Sequence, residues 1–225
     1  MSDTIKKKEA AYTLVKPTDA AFGPNIYGKI KRHMDCILSG LGLLVLSPLF
    51  VLLAIAIRVD SKGPLLFSQL RIGQGGTPFR CWKFRSMHVD AEQLKSNLQE
   101  DNEMDGGTTF KMKRDPRITR IGRFIRKASI DELPQLWNVF IGDMSLVGPR
   151  PPIPSEVATY SPFERQRLMA KPGITCIWQV SGRSDIPFKQ QVLLDIEYIV
   201  KRSVKMDLAL LLRTIPAVLL ARGAY

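Results

Sequence analysis

A long apolar block near the start is the strongest pattern in this 225-residue chain. It reads CILSGLGLLVLSPLFVLLAIAI, occupies residues 36–57 without a charge, and has basic residues on both sides. At about 1.5 Å per residue, a helix of this length just spans a hydrocarbon core of about 30 Å. Ser47 and Pro48 fall near the middle, where proline bends or breaks a helix because it lacks a backbone N–H. The pattern therefore predicts two helical arms with a break between them.

Three arrangements of this block fit the pattern. Because basic flanks favour the cytoplasmic side at both ends, we expect a re-entrant helix-break-helix over residues 29–62 that enters the membrane and returns. We expect the Ser47 hydroxyl to satisfy the backbone carbonyl that Pro48 leaves without a partner. The alternatives are a kinked transmembrane helix and a buried hairpin in the core of a soluble protein.

A β-hairpin is predicted directly after the apolar block. Two apolar-rich runs, residues 65–72 and 79–87, are joined by a glycine-rich turn that lacks the helix and G-K-S/T of a phosphate loop. On the second strand Lys83 and Arg85 alternate with aromatic residues, so we expect both cations on one face. That face is either a phosphate grip or a solvated edge. Residues 90–115 are polar and predict a connection or lid.

Two later segments are amphipathic. Residues 117–127 place isoleucines and Phe124 on one face and basic residues on the rest, which suits an anionic membrane surface or a solvated face. Residues 206–225 are apolar but interrupted by Asp207 and Pro216. We expect this last segment to lie along a membrane interface, with a docked core helix as the alternative.

The fold class that these elements predict is α+β, mainly helical with a small β-hairpin. We expect a monotopic membrane protein with an N-terminal re-entrant helix-break-helix and interfacial amphipathic helices. Three parts follow along the chain: a flexible polar leader over residues 1–28, the membrane hairpin over 29–62, and a cytoplasmic domain over 63–225.

Composition narrows the chemistry. Lysine and arginine total 33 against 21 acidic residues, a net charge of +12, which indicates anionic partners. We expect no nucleic acid, because the charge adjoins apolar surfaces and no familiar binding motif is present. The three widely spaced cysteines indicate reduced thiols, so any metal must be held by oxygen. With only two histidines, carboxylates must carry any acid-base or nucleophilic chemistry.

An acidic pair stands out in this basic chain. Asp131 and Glu132 lie within RKASIDELPQLWNVFIGDMSLVGPRPP, residues 126–152. A structural interpretation is available, because Ser129 and Glu132 have the spacing of a capping box and acids suit the first turn of a helix. This interpretation accounts fully for Glu132 and in part for Asp131.

A chemical interpretation rests on the cations around the pair. Arg126, Arg150 and Arg183 can keep two carboxylates ionised and bind a diphosphate beside them. A carboxylate facing an electrophilic phosphorus is a candidate nucleophile, and its neighbour is a candidate Mg²⁺ ligand. The local pattern leaves both interpretations open.

Several long motifs in one order resemble the bacterial sugar transferase family. These are the monotopic phosphoglycosyl transferases that start exopolysaccharide, capsule and glycan assembly on polyprenyl phosphate. The resemblance runs from about Lys29 to the C-terminus, and the chain looks like the minimal catalytic form of the family. It rests on the anchor with its Ser-Pro break, KFRSM at 83–87, RKASIDELPQLWNVFIGDMSLVGPRP at 126–151, KPGITCIWQVSGR at 171–183 and LDIEYI at 194–199.

The resemblance implies a mechanism with a covalent intermediate. Asp131 would attack the β-phosphorus of a UDP-sugar and release UMP, and undecaprenyl phosphate would then take the phosphosugar from the aspartyl intermediate. Asp131 and Glu132 would hold Mg²⁺. The residues implied to contact phosphate or nucleotide are Lys83, Arg85, Arg126, Arg150 and Arg183.

The resemblance also implies a location and a substrate class. We expect the bacterial inner membrane, with the catalytic domain on the cytoplasmic face and in contact with anionic lipid. The ending ARGAY resembles members that use a hexose 1-phosphate, typically glucose or galactose. The oligomeric state, a homodimer included, stays open, as does the pathway.

Overall fold

The protein is described by a computed structural model that covers residues 26–91, 93–94, 115–182 and 185–219. It is mainly helical, as the sequence predicts, and it contains two small sheets. Most of segment 90–115, predicted as a connection or lid, lies outside the described residues. The elements are α1 Ile26–Val45, α2 Ser47–Asp60, β1 Leu66–Ile72, β2 Pro78–Phe84, α3 Arg120–Lys127, α4 Gln135–Ile141, β3 Ser145–Val147, α5 Pro154–Thr159, β4 Gly173–Thr175, α6 Phe188–Lys201 and α7 Val204–Leu219.

Helices α1 and α2 form a pair bent by 57°. Leu46 separates them, and Pro48 lies in the first turn of α2. The Ser47 hydroxyl donates a 2.8 Å hydrogen bond to the carbonyl of Leu44, the group that an N–H at position 48 would have bonded. The predicted break and the predicted role of Ser47 are both confirmed. Helix α1 begins at Ile26, inside the segment predicted as a polar leader, whose residues 1–25 lie outside the described ranges.

The bent pair leaves much of its apolar surface uncovered. In the described part of the chain, neither helix is by itself long and apolar enough to cross a membrane, whereas the two taken together reach that length and composition. A hairpin buried in the core of a soluble protein does not fit, because six large side chains of the pair are 58–73% exposed. They are Ile37, Leu44, Val45, Val51, Leu52 and Ile55.

A small apolar cluster joins the bent pair to the hairpin and to α3. The rings of Phe50 on α2 and Phe84 on β2 meet edge to face with centroids 5.3 Å apart. Ile125 on α3 is fully buried against them, and burying such a side chain contributes about 1.5–3 kcal/mol. The first turn of α3 is held by Asp60 at the end of α2, whose Oδ2 accepts a 2.9 Å hydrogen bond from the backbone N–H of Ile121. Helix α3 is therefore fixed directly to the end of α2.

A buried ionic cluster joins the start of α1 to α7. The carboxylate of Asp207, fully buried, accepts hydrogen bonds from Lys31 at 2.9 Å and from Tyr27 at 3.0 Å. Its other oxygen lies 2.7 Å from the Tyr198 hydroxyl on α6. We call these four residues the Asp207 clamp. Asp207 was expected to interrupt a surface helix, but it is buried because three donors compensate its charge.

The hairpin is confirmed, and a second sheet was missed. Strands β1 and β2 pair antiparallel around a turn in which Gly75 and Gly76 have positive φ. Strands β3 and β4 pair parallel through three residues each. A Cβ on Gly173 would lie 2.0 Å from the backbone nitrogen of Gly148, so only glycine permits this approach. The close pairing fixes the start of the loop that carries Arg150.

Helix α4 docks on both the hairpin and α1. The side chain of Asn138, fully buried, donates to the Arg80 carbonyl at 2.7 Å and accepts from the Trp82 N–H at 3.1 Å. Arg32 on α1 donates to the carbonyls of Val139 and Phe140, which lie at the C-terminal end of α4. These contacts fix β2 beside the segment that carries Asp131 and Glu132.

Candidate active site

The acidic pair lies on a tight turn between α3 and α4. Residues Ile130–Glu132 form a short 3-10 helix, preceded by Ser129 in the left-handed conformation with φ 55°. Ser129 makes no side-chain cap, so the capping box expected from its spacing to Glu132 is absent. The structural interpretation of Glu132 as a helix cap is wrong, because the left-handed backbone at Ser129 is not that of an N-cap residue.

Glu132 instead pairs with the hairpin. Lys83 Nζ donates a 2.5 Å hydrogen bond to Glu132 Oε1, and both side chains are partly exposed. Burial raises the pKa of Glu132, but Lys83, Arg150 and Arg71 outweigh it and lower the pKa to about 2. Glu132 therefore stays ionised at neutral pH.

Asp131 is in a different environment from its neighbour. It is 8% exposed, and burial raises the pKa of its carboxyl to about 6. Lys83 and Arg126 lower this pKa, whereas the adjacent Glu132 raises it. Two adjacent carboxylates with pKa values of about 6 and about 2 are typical of catalytic sites, where environment assigns different roles to chemically similar groups.

A small pocket opens beside the pair. Its wall includes Glu132 but not Asp131. Two residues predicted from sequence, Lys83 and Arg150, also lie in the wall, so three of the predicted site residues meet there. The complete lining is Arg71, Cys81, Lys83, Glu132, Gln135, Arg150, Pro151, Gly173, Ile174 and Gln179.

The structure places the two predicted cations Arg126 and Arg85 differently. Arg126, in the last turn of α3, is partly buried and acts electrostatically on Asp131, as predicted. Arg85 does not line the pocket together with Lys83, because its side chain reaches the end of α2 instead. Its guanidinium donates to the Ser61 carbonyl at 2.5 Å and to the Ser61 hydroxyl at 2.9 Å, at the end of α2. Arg183 lies outside the described residues.

Sequence reasoning missed three polar side chains of the pocket, Arg71, Gln135 and Gln179. Arg71 could have been found, because strand alternation places it on the same face of the hairpin as Cys81 and Lys83. No local pattern indicated the two glutamines. Gln135 is buried at the start of α4, and Gln179 accepts a hydrogen bond from the Cys176 thiol at 3.0 Å.

The donor set at the pair fits magnesium only together with a substrate. Among the described residues no group of three or more His, Cys, Asp or Glu side chains could hold a metal ion. Mg²⁺, however, is commonly held by one or two carboxylates together with substrate phosphates. Asp131 and Glu132 supply two such carboxylates beside a cationic pocket, which fits that mode.

The chain is similar to known proteins over most of its length. Residues 26–221 match the family model described as bacterial sugar transferase. The chain is 50% identical over 195 residues to a galactosyl transferase, CpsE, of Streptococcus agalactiae, covering 86% of this chain and 43% of that protein. It is 38% identical over 203 residues to the exopolysaccharide production protein ExoY of Sinorhizobium fredii, covering 89% and 90%. It is 42% identical over 199 residues to an undecaprenyl-phosphate galactose phosphotransferase of Salmonella typhimurium, covering 87% and 42%.

Proposed function

The chain belongs to the bacterial sugar transferase family, and we propose that it transfers a sugar 1-phosphate from a UDP-sugar to undecaprenyl phosphate. The second product is UMP, and the sugar is a hexose, glucose or galactose. This reaction is the first membrane step in assembling an exopolysaccharide or glycan. The relatives named for galactose transfer and for exopolysaccharide production support the substrate class. The chain spans less than half of the first and third of these relatives, so the full activity is part of the proposal.

One observation carries the proposal. Asp131 is a buried carboxylate with a pKa raised to about 6, beside an ionised Glu132 and a pocket lined by three cations. A carboxylate that is poorly solvated and still ionised at neutral pH is a better nucleophile than one in water. The cationic pocket suits a diphosphate substrate, because Arg and Lys are the usual partners of phosphate oxygens.

The first chemical step forms a covalent intermediate. An oxygen of the Asp131 carboxylate attacks the β-phosphorus of the UDP-sugar, and the bond from that phosphorus to the bridging oxygen breaks. UMP leaves with the bridging oxygen, and the sugar phosphate stays bonded to Asp131. Lys83 and Arg150 stabilise the negative charge on the phosphate oxygens, and Arg126 helps to keep Asp131 ionised.

The second step returns the enzyme to its starting state. A phosphate oxygen of undecaprenyl phosphate attacks the same phosphorus, and the bond from phosphorus to Asp131 breaks. The product is an undecaprenyl diphosphate sugar, and the carboxylate is regenerated. Asp131 and Glu132 would hold magnesium, which when bound would neutralise part of the diphosphate charge.

The proposed location follows from the uncovered apolar surface. Besides the bent pair α1 and α2, helix α7 leaves Leu208, Leu212 and Ile215 46–69% exposed, and α3 leaves Phe124 63% exposed. We propose that these faces seat the protein on the cytoplasmic side of the bacterial inner membrane, in contact with anionic lipid, with the bent pair re-entering. A soluble and a lipid substrate can then share one site at the membrane surface.

The decisive experiment offers UDP-glucose, UDP-galactose and other UDP-sugars to the purified chain with magnesium. We expect UMP release and a sugar-phosphate adduct on Asp131, detected by mass spectrometry of the quenched protein. Asp131→Asn should lose at least about a thousandfold in rate, because the nucleophile is gone. Asp90→Asn, which changes an exposed aspartate, is the matched control and should keep full activity.

Two outcomes would reject the proposal. A non-catalytic membrane adaptor would form the same amount of lipid-linked sugar with Asp131→Asn as without it. A nucleic-acid-binding protein would bind DNA in a salt-dependent way and release no UMP. The re-entrant arrangement is tested separately by labelling Ile5→Cys and Glu100→Cys from outside intact cells, in a background without the native cysteines. Labelling of either position from outside would reject it.

A further inference from the structure

Arg71 is a buried cation that forms no ion pair with a carboxylate of the described residues. It is 8% exposed, and its terminal nitrogens donate to two neutral oxygens, the Pro151 carbonyl at 2.9 Å and Gln69 Oε1 at 2.7 Å. Its Nε is buried and has no hydrogen-bond partner within the described ranges. No carboxylate of the described residues lies within 4 Å of it. A buried charge without an opposite charge is unfavourable, so this arrangement needs an explanation.

Two other buried arginines of the fold are neutralised by carboxylates, whereas a third, Arg85, donates to neutral oxygens of Ser61 and is not part of the pocket wall. Arg117 pairs with Asp115 at 2.6 Å, and Arg167 pairs with Asp195 at 2.5 Å. These two ion pairs lie outside the pocket wall, where the protein itself supplies the negative charge. Arg71 differs from them because it lines the pocket.

A second cation, Arg150, acts on Arg71. Burial lowers the pKa of Arg71, and Arg150 lowers it further, because the two guanidinium groups repel each other; Cys81, Glu156 and Glu132 raise it by less. The loop that carries Arg150 is held to β1 by Arg71 through Pro151 and by the Ile72 N–H, which donates to the Pro152 carbonyl at 2.9 Å. The fold therefore keeps two arginines and Lys83 around one pocket, with Glu132 as the acid in its wall.

We infer that Arg71 is an anion-binding residue of this pocket and that, with Arg150, it binds a phosphate oxyanion of the substrate. This inference rests on the proposed function and assigns to it a residue that no comparison indicates. The missing negative charge beside Arg71 is supplied by the ligand. The phosphate belongs either to the nucleotide sugar or to the lipid, and the two sources share the same chemistry.

Pyrophosphate binding tests the inference without turnover. We would titrate inorganic pyrophosphate, in EDTA, into the full chain by calorimetry at fixed ionic strength. Arg71→Met should weaken the Kd at least tenfold, because it removes the charge and leaves the neighbouring Arg150 alone. Arg71→Lys should weaken it about threefold to tenfold, since one ammonium group cannot hold Pro151 and Gln69 and also bind the anion. Arg80→Met, which removes a cation from the opposite face of the hairpin, should leave the Kd unchanged.

The same variants identify the source of the phosphate. If Arg71→Lys raises KM for the UDP-sugar alone, Arg71 binds the donor, and a rise for undecaprenyl phosphate alone assigns it to the acceptor. Unchanged pyrophosphate affinity in Arg71→Lys would overturn the inference, whether or not Arg71→Met folds. An equal loss in Arg80→Met would also overturn it, because the effect would then be one of overall charge. A wild-type protein that binds pyrophosphate through Arg71 but releases no UMP would refute the proposed function alone.

Discussion

Asp207 and Asp131 are both buried aspartates, but their surroundings differ in kind. Asp207 accepts hydrogen bonds from Lys31 and Tyr27 and contacts the Tyr198 hydroxyl, so its charge is compensated within the fold. Asp131 has cations nearby but no lysine or arginine nitrogen of the described residues within 4 Å. Burial raises the pKa of Asp131 to about 6. The contrast separates a carboxylate that holds helices together from one that no close cation holds, as the proposed nucleophilic role of Asp131 requires.

The largest change in the free energy of unfolding should come from removing the Asp207 carboxylate. Asp207→Ala leaves Lys31, Tyr27 and Tyr198 without their common acceptor, so the free energy of unfolding should fall by about 3 kcal/mol. Thermal unfolding of the purified protein measures this, and Asp90→Ala, at an exposed position, should change it by less than about 0.5 kcal/mol. UMP release per folded molecule should persist. A loss of turnover without a loss of stability would contradict the division of roles.

Replacing the Asp131 carboxylate should have the opposite effect on the free energy of unfolding. Asp131 has a pKa of about 6 in the fold and 3.8 as its ordinary value. The folded state therefore binds the proton more tightly, and its stability falls as pH rises from about 4 to about 6. Above pH 6 the Asp131 carboxyl is ionised, and its burial destabilises the folded state to the full extent. Asp131→Asn should therefore stabilise the protein by about 1–3 kcal/mol at pH 8.

This gain should vanish below about pH 4, where both states of the wild-type carboxyl are protonated. Thermal unfolding across the pH range would show it. An Asp131→Asn protein less stable than wild type at pH 8 would mean that Asp131, like Asp207, holds the fold together.

Activity should depend on pH through the same group. Attack requires the ionised form of Asp131, so the rate of UMP release should fall about tenfold for each pH unit below about 6. A single turnover without lipid acceptor isolates this step from titration of the lipid phosphate. Tyr27→Phe, which alters only the Asp207 clamp, should leave the midpoint in place. A flat profile down to pH 4.5 would remove Asp131 from the first step.

The smallest change in the free energy of unfolding should come from removing one hydrogen-bond donor of the Asp207 clamp. Tyr27→Phe removes one of the hydrogen bonds to Asp207 and leaves Lys31 and Tyr198 in place. The free energy of unfolding should fall by about 1 kcal/mol, the usual net value of one hydrogen bond. A change as large as that of Asp207→Ala would show that Tyr27 contributes more than a single donor.

Local chemistry made part of the fold predictable. A proline removes the hydrogen bond to the carbonyl four residues earlier, so Ser47, Pro48 and Leu44 could be connected from sequence alone. The hairpin followed from apolar runs around a glycine-rich turn. The acidic pair and its cations Lys83, Arg126 and Arg150 were found because charges of opposite sign concentrate there and because the family resemblance located them.

The remaining features depend on contacts between distant segments. Arg71 reaches Pro151, and Arg85 reaches Ser61, through bonds that no local spacing encodes. The capping box failed because Ser129 adopts a left-handed backbone, which the pattern of residue types does not reveal. The parallel pairing of β3 and β4 uses three residues on each strand, too few for an alternating pattern to appear.

The hydrogen bond from Ile121 to Asp60 has a mechanical consequence. The last side chain of α2 forms part of the N-terminal cap of α3, and α3 ends one turn before Asp131. In the membrane arrangement proposed above, a displacement of the apolar helix pair would therefore be passed through Asp60 and α3 to the turn that carries Asp131. The depth of the helix pair in the lipid would then help to set the position of the proposed nucleophile relative to the bilayer.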